Sequence, residues 1–142
     1  MSEELDYLSA GNRLKALLEP LKSQGLREVF IATDVDNAKQ QSQVAPAVHI
    51  MYRGDRLDEN TQSGRVTKST QTWLLILIHR SQPNQQTAGV LLAKIISAVA
   101  GQTHGDTTFR RVTAPVAPGY SGGFVYLPLA FEITVKVKGE RQ

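Results

Sequence analysis

The stretch VYLPLAFEITVKVK, residues 125–138, decides the fold. Val125, Leu127, Leu129, Phe131, Ile133, Val135 and Val137 recur at every second place, while Tyr126, Pro128, Ala130, Glu132, Thr134, Lys136 and Lys138 turn polar towards the end. A period of two belongs to an extended strand, whose successive side chains point to opposite faces. One face is therefore expected to be buried and the other to become increasingly wet. Pro128 has no N–H to give, so the strand should pair on one edge only at that point or carry a bulge.

A partner for this strand lies at residues 65–80, RVTKSTQTWLLILIHR. Its far half is apolar on both faces, the mark of a central strand covered on both sides, and Trp73 belongs to that core. Its near half is polar on both faces and is expected to be solvated or shared with a partner. Upstream, Val48, Ile50 and Tyr52 alternate with His49, Met51 and Arg53 in a strand ending at Gly54. Residues 54–64 have almost no apolar content and read as a long exposed hairpin loop. Residues 28–33 read as a short strand, 34–43 as a polar loop, 107–113 as a short strand and 114–123 as a turn-rich connection.

Leu5, Leu8, Leu14, Leu17, Leu18 and Leu21 recur at helical spacing, with Gly11 weakening the middle. Pro20 predicts a kink or an end near Glu19, and Gly25 the final stop. A second helix opens at Pro83-Asn84, carries the stripe Val90, Leu91, Ile95, Ala98 and Val99, and closes at Gly101. The order α-β-β-β-α-β-β predicts one α+β domain over residues 1–142, two helices packed on one face of a mainly antiparallel sheet. At 142 residues such a domain can bury roughly two-thirds of its surface without disulfides or metals.

Length adds a further expectation. Fully extended, residues 65–80 and 123–138 would each span roughly 50 Å. A domain of this size has a diameter nearer ~37 Å. The strands must bend at bulges or project, and the polar near half favours a projecting β-hairpin ordered by another subunit or partner.

Candidate chemistry is excluded feature by feature. With no cysteine there is no disulfide framework, thiolate zinc site or cysteine nucleophile. Gly119-Tyr120-Ser121-Gly122-Gly123 matches a nucleophile elbow, but a proline-rich turn precedes it, a strand follows, and no histidine lies beyond His104. Its glycines are expected to serve a turn. His49, His79 and His104 are too few and scattered for a zinc motif, although His49 and His79 could approach each other on neighbouring strands. Asp34, Asp36 and Asn37 hint at a calcium loop, yet its glycine and final acid are replaced by Lys39 and Ala45. No phosphate-cradling glycine motif is present. Catalytic, cofactor and metal sites are all expected to be absent.

Net charge is +3, distributed unevenly: residues 1–71 carry 9 Lys/Arg against 10 Asp/Glu, and residues 72–142 carry 7 against 3. Arg110 and Arg111, with Arg80, Lys136 and Lys138, form at most a weak phosphate-facing patch, and solvated charges protecting a sheet edge explain them as well. The acidic start, Met1-Ser2-Glu3-Glu4, predicts no export, and the longest apolar run, residues 73–78, is far below the ~20 residues needed to cross a bilayer.

The helix at 5–21, the hairpin with a long polar tip at 47–78, the helix after Ser81-Gln82-Pro83 and the closing LAFEITVKV at 129–137 together resemble the phage tail terminator, or tail completion, proteins. The resemblance implies a non-enzymatic virion protein, built in the host cytoplasm, that forms a homo-oligomeric ring, six copies in expectation. The ring would cap the head-proximal end of the tail tube and meet the tail tube protein on one side and the head–tail connector on the other. It further implies a tube or subunit contact through Arg53, Asp55, Arg56, Asp58, Glu59, Arg65 and Lys68. Arg110 and Arg111 would face a lumen through which DNA passes. The alternative is a small nucleic-acid-binding or regulatory module using the basic second half.

Overall fold

A computed structural model describes residues 5–32, 44–57, 64, 66–82 and 86–139. Its centre is an antiparallel pair, β3 (Val66–Arg80) and β8 (Phe124–Lys138), matched residue for residue from Val66 opposite Lys138 to Arg80 opposite Phe124. Fifteen pairs run without a bulge. β2 (Ala47–Leu57) pairs antiparallel with the other side of β3, and β1 (Glu28–Ile31) adds to β2 in parallel. On the outer side of β8, β7 (Gly119–Ser121) pairs with residues 124–126 and β6 (Arg110–Val112) with residues 130–132. Pro128 falls in the gap between them, paired on the β3 side alone, as its missing N–H requires.

The helices α1 (Ser9–Leu18) and α2 (Gln86–Val99) lie on one face, here called the helical face. Leu14 and Leu18 of α1, and Leu91, Ile95 and Val99 of α2, close over Trp73, Leu75, Leu77, Leu129, Phe131 and Ile133. On the second face Leu74, Ile76, Ile78, Met51 and Ala130 form a smaller cluster, joined by Val112, Ala114, Phe124 and Tyr126. The far half of β3 is thus covered on both sides, as its unbroken apolar run predicts.

Several boundaries differ from the sequence reading. α1 begins at Ser9 because the Asp6 carboxylate accepts the Leu8 N–H at 2.9 Å, leaving Leu5 and Leu8 exposed outside the helix. From Glu19 to Gln24 the chain tightens into a 3₁₀ helix with Pro20 in its first turn, and Gly25 ends it at φ 115°. Gly11 is a packing requirement: a Cβ there would stand 2.8 Å from two ring carbons of Trp73. In α2 the buried stripe is Ala88, Leu91, Ile95 and Val99, and Val90 is exposed.

β2 does not stop at Gly54. A bulge at residues 53–54, taken at φ 107° by Gly54, lets pairing resume at Asp55 opposite Gln71 and continue to Leu57. The expected strand at 107–113 divides around buried Phe109, its start pairing with β4 (Thr103–His104) as β5 (Thr107–Thr108) and its end forming β6. The connection at 114–123 contains β7, turned into β8 by Gly122 and Gly123 at φ 59° and 83°, a two-residue hairpin turn. The polar loop at 34–43 and the helix opening at Pro83-Asn84 lie outside the described residues.

Candidate interaction surface

The near half of β3, up to Thr72, which pairs with the apolar Ile133, Val135 and Val137 on β8, was expected to be polar on both faces. It is polar, but its helical face is not bare. Ser69 and Gln71 are buried beneath the segment that leads into α1. Gln71 Nε2 donates to the Tyr7 carbonyl at 2.7 Å, and its Oε1 accepts the Trp73 Nε1–H at 2.9 Å. The Tyr7 hydroxyl donates to the Asp55 carboxylate and receives the Ser69 hydroxyl. Burial first, then the nearby Asp55 and Tyr7, hold the Tyr52 phenol above its ordinary value. The polar residues here are solvated by their own chain.

Among the described residues, no helix lies on the second face of the near half. Glu132 receives Arg56 from β2, with Nη1 at 2.5 Å and Nη2 at 3.3 Å, and Arg110 from β6 at 3.5 Å. Both guanidinium groups are well exposed while the carboxylate is largely covered, so the pairing orients the arginines and contributes little stability. On the outer edge, the Thr107 hydroxyl caps the Thr134 carbonyl at 2.8 Å in place of a ladder partner.

Among residues expected at a tube or subunit contact, Arg53 lies in the bulge, Asp55 and Arg56 follow it, and Lys68 stands near the same end on β3. Asp55 is tied to Tyr7, and Leu57 beside them is 67% exposed. Asp58, Glu59 and Arg65 lie outside the described residues. Arg110 and Arg111 do not make one patch: strand alternation sends Arg110 to the second face and Arg111 to the helical one. Arg80 is at the opposite end of the ribbon, its guanidinium 5.5 Å from the Phe124 ring centre. Arg56 and Lys68 take their places beside Lys136 and Lys138, a grouping visible only once strand register is known.

The remaining polar groups do not converge. Ser121 ends β7 ahead of the hairpin turn, with a strand after it. His49, opposite Ile76, and His79, opposite Val125, project from opposite faces of the sheet. No cluster of three metal-ligating side chains occurs among the described residues. His49 is fully buried, stacked on Phe30 with ring centres 4.9 Å apart, and among the described residues neither ring nitrogen has a hydrogen-bond partner. Burial lowers its pKa from 6.5 to about 4, so it is neutral at ordinary pH. His104 Nε2 lies 2.8 Å from the Ser9 hydroxyl, joining the β4–β5 hairpin to the start of α1.

The architecture therefore offers surfaces, and comparison with known proteins agrees with that emphasis. No curated protein matches the chain. A family model described as phage tail terminator protein matches residues 1–142, the whole length. That family is structural and its members are parts of the virion tail. The chain belongs to the phage tail terminator family and is a structural component of a bacteriophage tail.

Proposed function

We propose that six copies of this chain, each acting as a single unit, close into a ring on the head-proximal end of the tail tube. The ring ends tube polymerisation and offers its other face to the head–tail connector, after assembly in the host cytoplasm. The observation that carries this reading is the near half of the sheet: three paired strands running past the main core, one face held by the Tyr7 segment and the other not covered by a helix among the described residues. A single domain has no internal use for such an extension, whereas a head-to-tail contact that closes by rotation needs a surface of this kind on every copy.

In this reading the end of the β2–β3 ribbon meets the tube. Arg53, Asp55, Arg56 and Lys68, with Asp58, Glu59 and Arg65, give a mixed-charge contact that sets orientation more than affinity, and exposed Leu57 adds an apolar point. Light scattering and negative-stain imaging, with and without tail-tube subunits, test it. Rings of six are expected, at least on the tube, where docking adds to weak ring closure by mass action. A protein that stays monomeric in the presence of tube subunits overturns the reading.

A further inference from the structure

The long ribbon has two open edges at the same end. β1 covers the outer side of β2 at residues 47–50, and β6 covers the outer side of β8 at residues 130–132. Beyond these, towards Leu57 and Lys138, no strand among the described residues pairs with either outer side. The backbone groups on each edge follow from register. The Thr107 hydroxyl reaches the Thr134 carbonyl from outside, so by alternation Lys136 and Lys138 also turn their N–H and C=O away from β3. On β2, Ile50, opposite Leu75, accepts the Ala32 N–H on its outer side. Residues opposite odd-numbered positions of β3 therefore bond outward, and in the near half these are Tyr52, Asp55 and Leu57.

The side chains on the two edges divide differently. Lys136 projects on the second face, whereas Asp55 and Leu57, opposite Gln71 and Ser69, project on the helical face. In antiparallel addition, outward-bonding residues stand directly opposite one another. Joining these two edges that way would put the helices of two copies on opposite sides of the sheet. In parallel addition, an outward-bonding residue stands opposite one whose groups point inward and bonds to the two that flank it. Lys136 fits this pattern opposite Arg56, between Asp55 and Leu57, and the helices stay on one side. Parallel pairing is also what rotation about an axis along the strands produces, since β2 and β8 both run antiparallel to β3. Two β8 edges brought together would set lysine against lysine.

We infer that the outer edge of β8 in one copy pairs in parallel with the outer edge of β2 in the next copy. This rests on the ring reading and names its subunit contact. Lys136 donates its N–H to the Asp55 carbonyl and accepts the Leu57 N–H. On the helical face Leu57, 67% exposed, comes beside partly buried Val137. It lies next to an open cleft of about 460 Å³ whose lining includes Leu5, Ala10 and Val135 with the carboxylates Asp6 and Asp106. On the second face Lys136 meets Arg56, whose guanidinium is drawn across β3 to Glu132, away from the junction. The edge lysines guard against stray strands on that face only, while Val135 and Val137 present the helical one. Arg56 lies level with Thr70 and Lys136 with Lys68, so each junction steps by two residues, the kind of stagger that a closing sheet requires. The contact assigns Leu57 to the neighbouring copy and leaves the charged tip to the tube.

The chain has no cysteine, so a cross-link can be placed cleanly. Opposite residues of paired strands lie about 4.8 Å apart, within disulfide range. With tail-tube subunits present, oxidised Leu57→Cys/Val137→Cys should give a ladder of linked copies up to six on a denaturing gel, and each single variant at most a pair. Leu57→Cys/Tyr120→Cys, with its second thiol towards the other end of β8, should give no ladder. Lys136→Pro removes the outward N–H and leaves the β3 ladder whole, as Pro128 does on the same strand. It should keep the parent's urea midpoint yet assemble about tenfold more weakly. Lys136→Gln, which keeps the N–H, should stay within about twofold of the parent. If Lys136→Pro does not fold, the cysteine pair decides alone. Parent rings in negative stain without a ladder from Leu57→Cys/Val137→Cys, an equal ladder from Leu57→Cys/Tyr120→Cys, or undiminished assembly of Lys136→Pro overturns the edge pairing and spares the ring. A parent that stays monomeric with tube subunits overturns both.

Discussion

The two halves of the β3–β8 ribbon share one backbone register and differ in what lies against them. In the far half Leu74 to Ile78 are buried on both faces, by helices on one side and by the Met51–Ala130 cluster on the other. In the near half one face is closed by the short Tyr7 segment and the other by no helix among the described residues. Stability is concentrated where both faces are dry. The remaining length is then open to charge placements, such as Lys68 opposite Lys136, that a marginal domain could not tolerate in its core.

The comparison can be broken most sharply with one strand and one face. Phe131→Ala opens a cavity in the far half and should lower unfolding free energy by about 3–5 kcal/mol in urea titration. Val137→Ala, six residues on and only partly buried, should cost less than about 1 kcal/mol. Equal losses would mean that the near half is as much a core as the far half.

His49 gives a second, pH-dependent measure of the dry region. Its pKa is about 4 in the fold against an ordinary 6.5, so above pH 6.5 both folded and unfolded forms are neutral and stability is full. As pH falls from 6.5 towards about 4, the unfolded chain takes up a proton that the folded one refuses. Stability should fall across that window by roughly 2–3 kcal/mol, and His49→Leu should flatten that part of the profile. A parent profile that is already flat there would show that His49 is not held dry.

Gln71→Ala probes the junction between the halves. It leaves the Tyr7 carbonyl and the Trp73 indole N–H without their partner and should cost about 1–3 kcal/mol by thermal or chemical unfolding. A smaller loss would show that water replaces the amide easily and that the near half is wet on both faces.

Much of the fold was legible because local pattern and tertiary role coincide. Period two along residues 125–138, the apolar run at 73–78 and the Pro20–Gly25 helix stop each record their surroundings in the residues themselves. The burial of Ser69 and Gln71 was not legible, because their partner Tyr7 is 62 and 64 positions away and nothing local distinguishes them from solvated strand residues. β7 was missed among prolines and glycines, although Gly122-Gly123 before a strand is a hairpin signal that was present to be read. The meeting of Lys68 with Lys136 and the parting of the adjacent Arg110 and Arg111 were not legible either, because only register across strands shows them.

Trp73 is the only tryptophan in the chain, and its indole is held between Gly11, which leaves room for the ring, and Gln71, which takes its N–H. The same Gln71 holds Tyr7, so any event that lifts the segment before α1 alters the polarity felt at Nε1. The protein thus carries its single indole fluorophore at the seam between its rigid and its exposed halves. Its emission is a label-free optical gauge of what happens at the exposed end.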